Sequence, residues 1–323
     1  MNIKVISKNK DVSQKIIIVG VLVALFVIFS VLNPSYASYS NIMTILLATC
    51  VNGLLALGVS FTIITGGIDI SVGTVMTFSA VMSGTALSVW GWNIWVSILF
   101  GFFVGAFCGA VNGFGVTKMH LPPFIATMAM QMIAKGLSMV ISGIKPVYFT
   151  SCSFYQEIAT GEFLGISGFY NGIIILAVVA VICYILFSHT LFGRYDLAIG
   201  SNEEATRLSG INVDKWKIII YSASGLLAGV AGLVMSSRLN SAQPALGTGY
   251  ETEAIAAAVL GGTSMTGGEG GIVGTIIGAL LISSLTNGLR IMAVSSEIQS
   301  AILGLVLAVA VFLDQTRKKK KGR

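Results

Sequence analysis

Long apolar stretches with almost no charge recur from about residue 16 to residue 313, and they set what this chain can fold into. A helix needs about 20 apolar residues to cross the roughly 30 Å hydrocarbon layer of a bilayer. Only 10% of the residues are Asp, Glu, Lys or Arg while 55% are hydrophobic; soluble domains draw about a quarter of theirs from the charged four. With a mean hydropathy of +0.89, a water-soluble globule of this sequence could not cover its own surface. The chain is therefore read as an all-α integral membrane protein. A β-barrel would show alternating segments of about ten residues, whereas these runs are unbroken. Lipid offers backbone groups no partner, so the runs are expected to be helices.

Ten stretches qualify, at roughly 16–32, 42–64, 69–88, 93–117, 123–143, 169–188, 217–236, 252–262, 271–290 and 299–313. The first follows four lysines and reads as an uncleaved anchor, because Asn33-Pro34 comes next in place of a small-residue cleavage site. The eighth is too short to span alone. It is either continued by the residues before it or dips into a protein-lined cavity. Placing the N-terminus in the cytoplasm puts fifteen of the nineteen Lys and Arg on that side, with Lys145, Arg238 and Arg290 opposite and Lys135 inside a helix. Lysine and arginine accumulate on the cytoplasmic face, so both termini are expected inside. The organisation that follows is a short tail at 1–15, a membrane domain at 16–313 with an inner loop at 189–216, and a basic tail at 314–323.

Several function classes drop out. The run Lys318-Lys319-Lys320-Lys321 and a pI near 9.1 could suggest nucleic acid, but a basic tail after a final membrane helix is what orientation demands, and anionic head groups would hold it. No nucleic acid is expected. There is no G-x-x-x-x-G-K-[ST] phosphate loop, and His120 and His189, the only histidines, offer no support for nucleophilic catalysis. Cys50, Cys108, Cys152 and Cys183 lack metal-site spacing and read as structural. No repeated filter or charged ring suggests a channel. Neither enzymatic chemistry nor a cofactor is expected in this chain.

The inner loop reads as a short helix with punctuation at both ends. Gly200 permits a turn and Asn202 (or Ser201) can cap the N-terminus. Glu203 and Glu204 then sit where the helix dipole favours negative charge, and Gly210 with Asn212 ends it. Ala205 and Leu208 share a face. Such a helix can insert into a groove on another protein or lie on the lipid surface.

Elsewhere, Thr65-Gly66-Gly67 recurs as Thr266-Gly267-Gly268, with Val-Gly-Thr following at the same distance in both places, an offset of 201 residues. A repeated helix–turn–helix unit explains this, internal repeats being common in transporters. Asp69 sits in the first turn and is expected to cap the following helix with help from Ser71. Glu269 is expected to be a turn residue. Asn52, Asn112, Gln131, Asn240, Gln243 and Asn287 are neutral amides able both to donate and to accept hydrogen bonds. Each can line a path for a polar cargo or serve as interhelical glue. Gly101, Gly105, Gly109 and Gly113 recur every four residues and form one face for close helix packing.

The run Gly193-Arg194-Tyr195 through Gly200-x-Asn202-x-Glu204-Ala205-Thr206-Arg207-Leu208-Ser209-Gly210-Ile211 resembles the coupling loop of permease subunits in bacterial ATP-binding cassette (ABC) importers, where an E-A-A-x-x-x-G element docks on the ATPase. The Ile-x-Leu-Pro that follows in many importers is replaced here by Ile220-Tyr221-Ser222. Thr65 to Gly73, Ser241-Ala242-Gln243-Pro244, Gly247 to Glu251 and Ala256 to Ser264 resemble the ribose/xylose/arabinose/galactoside branch of these sugar permeases. The resemblance implies a transport subunit for D-ribose, with another sugar or autoinducer-2 as alternatives. It also implies a homodimer in a bacterial inner (cytoplasmic) membrane, a separate ABC ATPase subunit and an extracytoplasmic sugar-binding protein. On that reading Gly200, Asn202, Glu203, Glu204, Ala205, Arg207 and Gly210 form the ATPase-coupling element, and Gly66, Gly67, Asp69, Ser71, Gly267 and Gly268 the signature turns. Glu157, Glu162, Arg238 and Glu297 are candidates for docking the binding protein. An ion-gradient-driven secondary sugar transporter is the competing reading, with Asp69 its one plausible coupling acid.

Overall fold

The computed structural model describes residues 3–149, 152–166 and 168–321; the ends of both predicted tails, residues 1–2 and 322–323, lie outside the described residues. The chain is built from helices in the order α1 (Ile3–Leu32), α2 (Tyr39–Ile64), α3 (Val72–Ser88), α4 (Ile94–Thr117), α5 (Pro123–Ser142), α6 (Ser153–Thr160), α7 (Asn171–His189), α8 (Leu191–Ser201), α9 (Glu203–Leu208), α10 (Val213–Leu239), α11 (Tyr250–Leu260), α12 (Ile272–Ile291) and α13 (Ser296–Lys321). Each apolar stretch read from the sequence falls on one helix. Among the described residues seven helices are long and apolar enough to cross a membrane, namely α2, α4, α5, α7, α10, α12 and α13 to Thr316; the apolar part of α1 (Ile16–Leu32) and α3 are shorter.

Burial sorts these helices. The central α2 has an unbroken buried run from Leu54 to Ile64, and α10 and α12 are also mostly buried, whereas α7 and α13 are largely exposed. The exposed faces are apolar: Val178, Val181, Ile182 and Ile185 on α7, Phe103 and Phe107 on α4, Leu305 and Phe312 on α13. Apolar surface on this scale requires an apolar solvent.

The glycine face of α4 is a packing seam against α10. A Cβ at Gly105 would overlap the carbonyl of Gly225, one at Gly109 the carbonyl of Tyr221, and one at Gly113 would meet Ile218 Cα at 2.7 Å. Small residues spaced by four let two backbones touch, which drives helix association where lipid removes the hydrophobic incentive.

The eighth apolar stretch resolves as α11, an eleven-residue helix preceded by a turn and the strand β2 (Ser241–Ala242). It enters the protein interior, with Ala254, Ala256, Ala257 and Ala258 fully buried, and ends at Gly261-Gly262, where φ of Gly262 is +100°. It is not continued by the residues before it.

The described residues of the 144–168 connection form a cap. Strand β1 (Val147–Tyr148) pairs antiparallel with β2, Val147 opposite Ala242. Phe149 stacks on Tyr155 at 3.9 Å, Tyr155 shares a 2.8 Å hydrogen bond with Ser236 on α10, and the Ser237 hydroxyl donates to the Tyr155 carbonyl at 2.7 Å. These contacts tie the cap to the C-terminal end of α10. All four cysteines are free, with Cys50, Cys108 and Cys183 buried.

Candidate functional site

Two polar regions stand out, one at each end of α10. At its N-terminal end α8 leads into α9, a six-residue helix. The Asn202 carboxamide accepts the Ala205 N–H at 2.9 Å, satisfying one of the donors a helix start leaves free. Glu203 and Glu204 occupy the first turn. Gly210 closes the unit at φ +84°, a left-handed conformation that costs glycine little, and Asn212 then caps α10 by accepting the Lys215 N–H at 3.0 Å.

Ion pairs fasten this unit to the helix bundle. Lys118 at the end of α4 meets Asp214 at 2.8 Å; Arg207 meets Asp214 at 2.9 Å and Glu203 at 3.4 Å; Lys217 meets Glu203 at 2.6 Å. Asp214, and after it Glu203, push the Arg207 guanidinium further above its ordinary range. With one flank of α9 so occupied, Glu204, Ala205 and Leu208 face outward, Leu208 with 84% of its surface exposed. A leucine held out on a fixed short helix leaves an apolar side chain without cover among the described residues.

Gly200 does not make the turn that the sequence suggested. It lies within α8, and a Cβ there would overlap the Ile64 carbonyl and approach Gly268 N to 2.5 Å. The two related turns meet at this point: Gly268 N–H donates to the Ile64 carbonyl at 2.9 Å, Gly66 and Gly267 both have φ of +80°, and Gly67 abuts Tyr221. Repeat and loop thus form one backbone-packed knot. Asp314 near the end of α13 joins it, accepting from Ser264 Oγ at 2.9 Å and Met265 N at 3.3 Å. Glu269 closes its turn through its carbonyl, which accepts the Ser264 N–H at 2.9 Å.

Asp69 also differs from expectation. It is buried, not interfacial, at 1% exposure, and the helix cap position belongs to Ser71. The Asp69 carboxylate accepts from Ser71 N at 3.0 Å, Ser71 Oγ at 2.6 Å and Ser224 Oγ on α10 at 3.0 Å. Asn112 on α4 donates to Ser71 Oγ at 2.9 Å. The cluster joins α3, α4 and α10, and its hydrogen bonds offset the desolvation of the carboxylate.

At the opposite end of α10, Asn52, Asn287, Arg238, Glu253, Ser283 and Arg290 line an open-mouthed cavity. Asn52 Nδ2 donates to Glu253 Oε2 at 2.7 Å and to Ser283 Oγ at 3.1 Å. Of the other amides, Gln131 donates to Glu251 at 3.0 Å. Asn240 ends α10 in the left-handed conformation, φ +50°, which is a backbone role. Gln243 is exposed beside β2. The structure therefore brings Asn52 and Asn287 together and leaves the other four apart from them.

Sequence reasoning missed Glu253 and treated Arg238 and Arg290 as markers of sidedness or docking. The missing signal was available, because Glu253 is an acid inside the eighth apolar stretch, and an ionisable residue at membrane depth marks function by default. Asp196 on α8 was missed as well. It is fully buried, neither carboxylate oxygen has a partner among the described residues, and burial pushes it well above the usual carboxylate range. Among the described residues no cluster of His, Cys, Asp and Glu could hold a metal.

Residues 41–311 match the family model for the permease component of the branched-chain amino acid transport system. The ribose import permease protein RbsC of Bacillus subtilis is 44% identical over 300 residues, 92% of this chain and 91% of its own. RbsC of Escherichia coli K12 is 40% identical over 92% of both chains, and the xylose transport system permease protein XylH of Haemophilus influenzae 32% identical over 98% of this chain and 99% of its own. Among solved structures, an inward-facing metal-chelate type ABC transporter superposes with a TM-score of 0.52 at 17% identity, covering 92% of this chain and 98% of that one, a likeness of fold.

Proposed function

On the premise that this chain belongs to the family of ABC sugar-importer permeases that includes the ribose, xylose and arabinose systems, we propose that it forms the membrane path for D-ribose. The observation that carries the cargo assignment is the 44% identity to a ribose import permease across nearly the full length of both chains. The chain crosses the bacterial inner membrane about ten times, with the N-terminal 1–15 and C-terminal 314–323 tails in the cytoplasm and residues 16–313 as the membrane domain. A second copy completes the path. The outward face of α9, Glu204 with Ala205 and Leu208, docks in a groove of a separate ATPase subunit, and a sugar-binding protein delivers cargo at the β1 end.

The mechanism is rigid-body switching. ATP binding closes the ATPase subunits and draws the two α9 helices together. Because α9 is ion-paired to α10 and its α8 neighbour is wedged by Gly200 against both signature turns, the displacement reaches α2, α3, α10 and α12 as a unit. Alternating access by such rocking is the common solution in transporters built from repeats. Asn52 and Asn287 lie on the route taken by the sugar. Asp69, already satisfied by three donors and with no ion pair, is treated as structural, which disfavours an ion-coupled carrier.

Labelled D-ribose uptake in cells with and without the chain tests this. Uptake that requires the chain, survives an uncoupler that spares ATP, and stops on ATP depletion is the expected result. Uptake that collapses with the ion gradient while ATP is maintained would overturn the importer reading.

A further inference from the structure

The walls of the cavity between α2, α10, α11 and α12 hold more hydrogen-bonding capacity than the protein itself uses. Asn52 is 4% and Asn287 8% exposed, yet the Oδ1 of each is buried without a partner. Arg238 and Arg290 face the same space, and neither forms an ion pair among the described residues. Glu253 receives the Asn52 amide and nothing cationic within 4 Å. Asn52 stands thirteen residues after the start of α2 and twelve before its end, whereas Arg238 and Arg290 are the second-last residues of α10 and α12, so the cavity runs from those helix ends toward the middle of α2. A guest with hydroxyl groups would engage the guanidinium donors and the Glu253 carboxylate at once.

We propose that this cavity is a sugar-binding station within the permease, where Arg238 and Arg290 donate to, and Glu253 accepts from, the hydroxyls of a neutral monosaccharide. The proposal rests on the reading of the chain as a sugar permease and names the residues that would recognise the cargo. The unused groups are of both signs and types. An anion would satisfy the two guanidinium groups but would face the Glu253 carboxylate. Each hydroxyl of a polyol both donates and accepts, so it matches the whole wall. The two arginines and the glutamate make these hydrogen bonds charge-assisted, about twice as strong as neutral ones. Vicinal hydroxyls suit the planar fork of arginine, which presents parallel N–H groups.

The test is equilibrium dialysis of labelled D-ribose, D-xylose and L-arabinose against the full-length chain in nanodiscs, with sn-glycerol 3-phosphate as competitor. Weak, saturable binding of at least one neutral pentose is expected. Glu253→Gln and Arg290→Gln should each weaken it about tenfold or more, the loss expected for a charge-assisted hydrogen bond, and Lys145→Gln should leave it unchanged. Glu253→Gln keeps the side-chain shape and Arg290 is exposed, so at least one variant will retain the wild-type thermal midpoint. No saturable binding of any of the three pentoses to the wild-type chain would overturn the proposal. So would binding that neither folded variant weakens, or sugar displaced more readily by sn-glycerol 3-phosphate than by itself. ATP-driven uptake by the same chain, assembled with its ATPase and binding protein, separates the two readings. Uptake with no loss of binding in the variants removes the station alone, whereas pentose binding without ATP-driven uptake removes the importer alone.

Discussion

The two ends of α10 handle charge in opposite ways. At the N-terminal end Lys118, Asp214, Arg207, Glu203 and Lys217 form a continuous chain of ion pairs at 2.6 to 3.4 Å. At the C-terminal end Arg238, with Glu253 and Arg290, borders a cavity and none of the three is in an ion pair among the described residues. The first arrangement fixes a shape, holding α9 so that its outward face is presented in one orientation. The second leaves its groups available. Paired charges at a surface contribute little energy but give geometry, while unpaired polar groups inside a wall cost energy that a visiting molecule can recover. On the function proposed above, one end handles force and the other cargo, and each prediction below strikes one side of that contrast.

The strongest blow to the force-handling end is Gly200→Val. A side chain there would collide with backbone at Ile64 and Gly268, atoms that cannot rotate away, so overpacking should cost on the order of 3 kcal/mol or more. The thermal midpoint of the detergent-solubilised chain should fall sharply, and its abundance in membranes with it. A midpoint equal to wild type would mean that α8 does not wedge the two signature turns as described. Next in size is Leu208→Asp, at a side chain with 84% of its surface exposed. Losing a central apolar anchor costs an interface about 2 kcal/mol or more, a weakening of roughly thirtyfold in Kd. Association with the ATPase, measured by titration in nanodiscs, should drop by about that factor at an unchanged midpoint. Unaltered association would deny α9 the docking role.

What the sequence revealed divides along the same line. Apolar length announced every long helix, and glycines spaced by four announced the α4 face that lies on α10, because both signals are local and periodic. The α9 cap was equally legible: Asn202, Glu203 and Gly210 act within one turn of the chain. Contacts between distant segments were not legible. Asp69 resembled a cap because Ser71 follows it, whereas its third donor, Ser224, lies 155 residues away. Gly200 resembled a turn because glycine usually marks one, and only the packed structure brings Ile64 and Gly268 to its surface. Arg238 and Arg290 were read for the side of the membrane they mark, which is a property of each residue alone. Their shared cavity depends on α11 entering the bundle, so that Glu253 comes under them.

Asp196 provides a smaller, pH-dependent test of the paired end. It lies in α8 with both oxygens unpartnered among the described residues, and burial raises its folded-state pKa well above the ordinary carboxylate value. The folded chain therefore keeps a proton that the unfolded chain releases. Between the two pKa values the native state binds more protons, so stability falls as pH rises. Asp196→Asn carries no titrating group and should remove that slope. At pH 8 the variant should have the higher thermal midpoint, and the gap should narrow as pH falls toward the ordinary carboxylate range. A gap that is constant with pH would mean that Asp196 has a partner or water contact that keeps it ionised.

The ion pairs themselves should yield the smallest effect. Lys118 is about half exposed, at 52%, and its partner Asp214 is at 19%, so solvent screens their attraction and ordering the lysine opposes it. Lys118→Met should cost less than about 1 kcal/mol, and raising the salt concentration should shrink the difference further. Lys217 is at 14% exposure and Glu203 at 43%, so removing Lys217 should matter more than removing Lys118, since a less hydrated charge loses more when its partner goes. A double-mutant cycle on Lys217→Met and Glu203→Gln isolates the pair from everything else those side chains touch. The comparison between the two ends turns on how this coupling reads out. If the pairs fix only geometry, the cycle should give a small coupling in thermal stability but a clear one in ATP-driven uptake. Force sent through a loosely held α9 is lost, even where the fold around it is intact. Coupling of equal size in stability and in uptake would make the ion-pair chain an ordinary stabilising feature and leave the backbone knot at Gly200 as the sole carrier of the motion.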